Sequence, residues 1–488
     1  MPGNKFSDNK KRSKILEIIL IALIIAVLVL CAVLVISIVK DKKDNKQDPT
    51  NKPETTATVV LNPTDTPDSG EDPKVTDIEG QTPTPTLSDN VTPTEAPPAT
   101  PSPTPYTGEF ELVEYNGRVE HIFTHSLIAY PELCFRGDLD ERLTSTFFID
   151  CVTVPEFKGM LEALYKDGYM LVNINDVYVS SVDADGNKTF SLKKPIMFPK
   201  GKKPLVLSFD DVNYYSKKAG HGFVDKLCVK DGKIMSYTKM ADGTEFYSDD
   251  NEHVPILEKF VREHPDFSYK GAKGMLCVTG YEGVLGYRVY RILTEGDPND
   301  PLGLRTEASR QAEIEKVKPL VAKLKENGWY FASHSYKHGT MTNYSKNSMW
   351  DDANKFKNEI TPIIGETKIY VFPYGAWQPS TEKDTVPPAQ QVLLDFGFEY
   401  FCGVGVDWFA KVMDGSGSSK WYLGGIIFQD RANYDGLAMM RYRDKFLKTP
   451  DGVKRFPSLD TAVLWDEEGR GVSYEDAWTR YKELKNIS

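Results

Sequence analysis

The sequence has no closely spaced cysteines, which excludes a metal site built from thiolates. Cys31 lies in an apolar run, and Cys134, Cys151, Cys228, Cys277 and Cys402 are scattered, so at most two disulfides can form. Small buried hydrophobes are an equally open reading of all five. A lysine/arginine stripe is also missing, and the net charge of −11 argues against nucleic acid as a partner, because phosphate binding needs a basic face. From 40 to 106 the chain has almost no large apolar residues. No small-x-small cleavage site follows Val39, and no histidine follows His338.

Of the 488 residues, the first hundred are not globular in composition. The remainder, about 380 residues, suffices for one large domain or two small ones. Residues 15–39 are apolar except for Glu17 and Ser37. As a helix rising 1.5 Å per residue they span roughly 35 Å, enough for a hydrocarbon core of about 30 Å. Without a cleavage site, this predicts a signal-anchor rather than a removed signal peptide. Lys5, Lys10, Lys11, Arg12 and Lys14 precede it and Lys40, Lys42, Lys43 and Lys46 follow it, a small bias toward a cytoplasmic tail at 1–14. The segment 40–106 carries Pro-Thr repeats at 83–86 and 97–105 and reads as an extended, disordered stalk. Such stalks hold an exported domain away from a membrane. The expectation is therefore a single-pass plasma-membrane protein with residues 107–488 outside the cell.

That domain alternates strand and helix patterns. His121–Ser126 reads as a strand. Thr153-Val-Pro-Glu156 is a capping box opening a helix that stops at Gly168, and Tyr169–Ile174 is a second strand. Strands follow at 204–209, 274–279, 329–333, 368–372 and 400–404, with helices at about 307–328, 349–364 and 389–396. This α/β alternation predicts a parallel sheet closed into a barrel. Asp-Gly turn signals mark a hairpin-bearing insertion at about 213–270. An amphipathic helix is expected at 474–484.

Pro204–Asp211 is an apolar strand ending in two adjacent carboxylates, Asp210 and Asp211. Neighbouring side chains on a strand face opposite ways, so the pair serves one site only where the backbone turns. A solvated acidic turn is the ordinary alternative. His334 and His338 follow another strand, four apart, which on one helical turn puts both imidazoles on one face. Two imidazoles and one carboxylate suit zinc with an open position, whereas His-x-x-x-His alone is commonly just two half-buried histidines.

Ser-Phe-Asp-Asp at 208–211, His334 with His338, and Phe-Pro-Tyr-Gly at 372–375 resemble, in order, the first three motifs of the polysaccharide deacetylase family, the NodB-like carbohydrate esterases. The resemblance covers roughly residues 118–445. It implies a distorted (β/α)7 barrel with Asp210 as general base and Asp211, His334 and His338 as ligands of a divalent metal, Zn2+ being the expected ion. It further implies that Tyr374 offers a backbone N–H to the oxyanion. Asp407-Trp408 resembles the fourth motif, so Trp408 would line the acetyl-methyl pocket, although a core tryptophan is equally open.

Two departures stand out. Val371 occupies the place of an arginine that steadies the base, and 424–430 supplies no acid histidine. The front end, from His121 to His125 and on through Thr153–Phe157, resembles the circularly permuted branch that includes poly-N-acetylglucosamine deacetylases. His125 is then the expected general acid, with a structural strand-end histidine as the alternative; His121, which begins the strand, is the poorer candidate. The implied activity is removal of N-acetyl groups from a cell-wall or extracellular polysaccharide. An O-acetyl esterase, a non-catalytic wall-binding module and an unrelated metal amidase remain as alternatives.

Overall fold

The computed structural model describes residues 110–436, apart from 135–142, 144, 145, 148, 149, 187, 291–305, 406–409 and 416–421. The expected span at 15–39, the stalk and the helix at 474–484 lie outside the described residues. Among the described residues, no helix is long and apolar enough to cross a membrane.

Seven parallel strands close a ring among the described residues. They are β1 (Glu120–Thr124), β2 (Lys203–Phe209), β3 (Met275–Val278), β4 (Tyr330–Ser333), β5 (Ile369–Val371), β6 (Tyr400–Val404) and β7 (Tyr422–Asn433). Each strand from β1 to β6 pairs with the next, Thr124 opposite Phe209, Leu276 opposite Phe209, Val278 opposite Ser333, Ser333 opposite Tyr370 and Val371 opposite Cys402. β6 then pairs with β7 (Val404 opposite Arg431), and β7 returns to β1 with Ala432 opposite Ile122. The expected seven-stranded barrel is therefore present, distorted where Tyr169–Leu171 pairs with the start of β2 and Ala410–Asp414 runs antiparallel on β7.

The helices form where the sequence signals them. In Val154–Lys166 (α1), the Thr153 side chain accepts from the Glu156 N–H while the Glu156 carboxylate accepts from the Thr153 N–H, and Gly168 leaves the helix at φ 79°. Period-two alternation then sorts the strand side chains. On β2, Leu205, Leu207 and Phe209 pack outward with Leu161 of α1, Leu257 of His253–Glu263 (α2) and Leu320 of Glu307–Glu326 (α3). Val206 joins Met275, Ala332, Val371, Cys402 and Ile427 in the barrel lumen. Phe401 and Phe428 pack with Ala353 of Lys346–Lys355 (α4) and Leu393 of Pro388–Asp395 (α5). Burying each such side chain contributes about 1.5–3 kcal/mol.

Three features depart from the sequence pattern. The strand β7 was not expected. The helix expected over 349–364 begins at Lys346 and passes a wide π turn at Phe356–Ile360. The region 213–270 holds a three-stranded antiparallel sheet (Lys226–Lys230, Lys233–Lys239, Glu245–Ser248) and also α2. Its first hairpin turns through Asp231 (φ 51°) and Gly232 (φ 73°), the two positive torsions that a two-residue hairpin loop requires.

Candidate active site

All the strand ends that carry chemistry open onto one cavity of about 590 Å³, lined by His125, Asp210, Asp211, His334, His338 and Tyr374 among others. Trp408 lies outside the described residues. His121 does not reach this cavity. It is buried in the lumen, with Nε2 2.8 Å from Ser208 Oγ and Nδ1 3.2 Å from Gln429 Oε1.

The two aspartates reach one site as the strand-end argument requires. Asp210 continues the inward face of Val206 and Ser208, and Asp211 turns back at φ 55°. Its Oδ1 lies 3.3 Å from His338 Nε2 and 3.8 Å from His334 Nε2, and accepts from the Tyr215 hydroxyl at 3.0 Å.

The histidines converge for a different reason than expected. Residues 334–338 form no helical turn: Ser335 (φ 61°) and His338 (φ 54°) are left-handed, and the rings meet with centroids 4.8 Å apart. Left-handed torsions in non-glycine residues cost on the order of 1–3 kcal/mol each and cluster at functional sites. Buried Asp352 holds this loop, its carboxylate accepting from the Tyr336 N–H at 2.7 Å and the Lys337 N–H at 2.9 Å, while Ser335 Oγ accepts from the His338 N–H at 2.8 Å.

This donor set fits a divalent cation. One ligand atom from each of Asp211, His334 and His338 lies within 4.8 Å of the others. His334 Nδ1 sits 2.9 Å from the Val371 carbonyl, so this nitrogen carries the proton and Nε2 is left as the free electron pair. Burial pushes His334 down to about 4, favouring the neutral, coordinating imidazole. Burial would raise the Asp211 carboxyl, but His338 and His334 hold it below the usual range.

Asp210 is steadied by a residue that the sequence did not suggest. Arg431, fully buried on β7, donates from Nη1 to Oδ1 at 2.7 Å and from Nη2 to Oδ2 at 2.8 Å. Its Nη1 also donates to Ser208 Oγ at 3.2 Å and its Nε to the Gly403 carbonyl at 3.2 Å. Burial would raise the Asp210 carboxyl, yet Arg431 and then His334 hold it well below the usual range, so it is ionised. Val371, standing where the resemblance expects an arginine, packs in the lumen and lends only its carbonyl to the site.

His125 faces the cavity from the end of β1. Asp435, just past β7, accepts from the His125 N–H at 2.9 Å and pairs with its Nδ1 at 2.6 Å. Burial works to lower this imidazole, but the charge and hydrogen bond of Asp435 outweigh it, with help from Asp211 and Asp210, and push it up to about 9. Tyr374 is left-handed (φ 58°) and 69% exposed, its ring centroid 4.8 Å from that of His338.

Fold and donor set together give an α/β barrel whose cavity gathers a carboxylate paired with a buried arginine, an imidazole paired with a buried carboxylate, and three donors that could hold a metal ion. A model of the polysaccharide deacetylase family matches residues 306–387, the stretch holding His334, His338 and Phe372–Gly375. Among solved structures it is similar to the Streptococcus pyogenes deacetylase PplD in complex with acetate, at 13% identity and TM-score 0.35, over 66% of this chain and 94% of that one. It is also similar to a proposed polysaccharide deacetylase from Mycobacterium smegmatis, at 13% identity and TM-score 0.22, over 37% of this chain and 45% of that one. No curated protein matches.

Proposed function

We propose that this chain is a metal-dependent N-deacetylase of the circularly permuted branch, acting on N-acetylglucosamine units of a cell-wall or extracellular polysaccharide. In this reading it is held to the plasma membrane by residues 15–39, with the barrel outside the cell. The observation that carries the reading is a pair of contacts on one cavity, Asp210 with the buried Arg431 and His125 with the buried Asp435, an arrangement that suits an ionised base and a protonated acid.

Asp211, His334 and His338 would hold a divalent cation, zinc being the expected ion, which would supply Lewis acidity toward the acetyl carbonyl. Asp210 takes the proton of the attacking water. The Tyr374 backbone N–H donates to the carbonyl oxygen as negative charge develops there. His125 gives its proton to the departing nitrogen. An amine leaves poorly unless protonated, so a cationic imidazole opposite the base favours an N-acetyl over an O-acetyl substrate.

The test is acetate release by the full-length, zinc-loaded protein from N-acetylglucosamine oligomers and peptidoglycan. Wild type is expected to release acetate, and Asp210→Asn and His125→Ala to lose about 10²–10⁴-fold each. Absence of release from both glycans at stoichiometric metal would overturn the reading.

The pH profile gives a separate check. His125 works in its protonated form, so kcat/KM falls as pH rises through its pKa. Asp435 raises that pKa, and Asp435→Asn is expected to move the alkaline limb down by about 1–3 pH units. An unmoved limb would remove His125 from the acid role.

A further inference from the structure

The same cavity holds a cation that hydrolysis of an acetamide does not use. Lys218 ends the short turn Ser216–Lys218 beyond the acidic pair, lines the cavity and is 8% exposed. Its Nζ lies 3.9 Å from Cys151 Sγ and 4.9 Å from the centroid of the Phe223 ring. Among the described residues no carboxylate pairs with it. Asp150, which lines the cavity too, feels Lys218 through space without forming an ion pair.

A buried ammonium is costly unless an anion meets it. Burial lowers the Lys218 pKa, but electrostatic attraction to Cys151, Asp211, Asp435 and Glu252 outweighs this and holds it above its usual value, so the group remains charged. The carboxylates among these are already committed, Asp211 to the two histidines, Asp435 to His125, and Glu252 to the His253 and Leu127 N–H groups. Lys217 and Lys337 line the same cavity, again without a carboxylate partner among the described residues. The wall thus presents three ammonium groups beside the carboxylates Asp150, Asp210, Asp211 and Glu282, of which Asp210, Asp211 and Glu282 are held by Arg431, by the two histidines, and by the Ser216 N–H with Arg288 nearby.

We infer that Lys218 forms a subsite for a carboxylate carried by the glycan, on the acetylated ring or its neighbour, so that the substrate class is an acidic N-acetylated polysaccharide. This rests on the deacetylase reading and narrows its substrate. A single ammonium is a point charge without the planar fork of arginine, which suits a singly charged carboxylate.

The experiment compares kcat/KM for acetate release by the full-length, zinc-loaded protein on two matched oligomers, neutral N-acetylglucosamine and one bearing a carboxylate on alternate rings. Wild type is expected to favour the acidic oligomer by about tenfold, the worth of one charge-assisted contact, and to do so through KM. Lys218→Gln should bring the ratio close to one, and Lys218→Arg should keep most of it. Absence of a preference in wild type, or an equal loss on both oligomers in Lys218→Gln, overturns the subsite. Free acetate, the other carboxylate this cavity meets, is run as an inhibitor: inhibition relieved by Lys218→Gln without any preference between glycans also overturns it. If neither oligomer is deacetylated, the deacetylase reading fails separately, and calorimetry decides the subsite. Tighter binding of the acidic oligomer that Lys218→Gln abolishes supports it, and equal binding sinks it.

Discussion

Under the proposed function, replacing His334 with alanine is expected to abolish divalent-cation binding and to lower acetate release by at least about a thousandfold, since Lewis acidity of this kind supplies several kcal/mol at about 1.4 kcal/mol per tenfold. The large effect follows from where His334 stands. It is 2% exposed, its Nδ1 is fixed on the Val371 carbonyl and its Nε2 faces both Asp210 and Asp211 at 3.8 Å. Stability should change far less, by about the net worth of one hydrogen bond, roughly 1 kcal/mol, plus a small cavity term. Metal analysis of the purified variant beside its acetate release separates the two effects. A variant that keeps a full equivalent of metal would remove His334 from the ligand set.

The second large effect concerns Arg431. Arg431→Met is expected to cost about 3–5 kcal/mol of stability, because it leaves the Asp210 carboxylate buried without a partner. Acetate release should fall at least about a hundredfold as well, since an unpaired Asp210 takes up a proton and loses both its aim and its basicity. Combining Arg431→Met with Asp210→Asn removes the uncompensated charge, so the double variant should regain part of the stability and none of the activity. Urea unfolding of the four proteins in this cycle measures the coupling. Equal midpoints for wild type and Arg431→Met would show that the pair contributes nothing to the fold.

The parts of this site legible in the sequence are those written within a few residues. Two adjacent acids closing an apolar strand cannot share a face unless the backbone turns, and it turns at Asp211. The pair His334 and His338 was legible as a pair, but the torsions that bring the rings together are not. Left-handed Ser335 and His338 carry no mark of their conformation in their side chains. Arg431 and Asp435 escaped for two further reasons. Inward positions of β7 that would ordinarily be apolar are Gln429 and Arg431, so the alternation that reveals a half-buried strand is absent, and the strand opens on Gly424-Gly425 near its start. Asp435 meets His125 across 310 positions of chain, a distance at which local spacing holds no information.

The seam between β7 and β1 has a consequence for when this protein becomes competent. Arg431 and Asp435 lie four residues apart, on and just past the strand that closes the ring, and in the proposed mechanism they aim the base and charge the acid. The three candidate metal donors come from elements that precede both residues in the chain. On that mechanism, a chain still open along that seam has no aimed base and no charged acid. On the proposed mechanism, competence is thereby coupled to the longest-range pairing among the described residues, which is also the slowest kind to form, and a half-built barrel would be inert toward any acetylated chain that it meets.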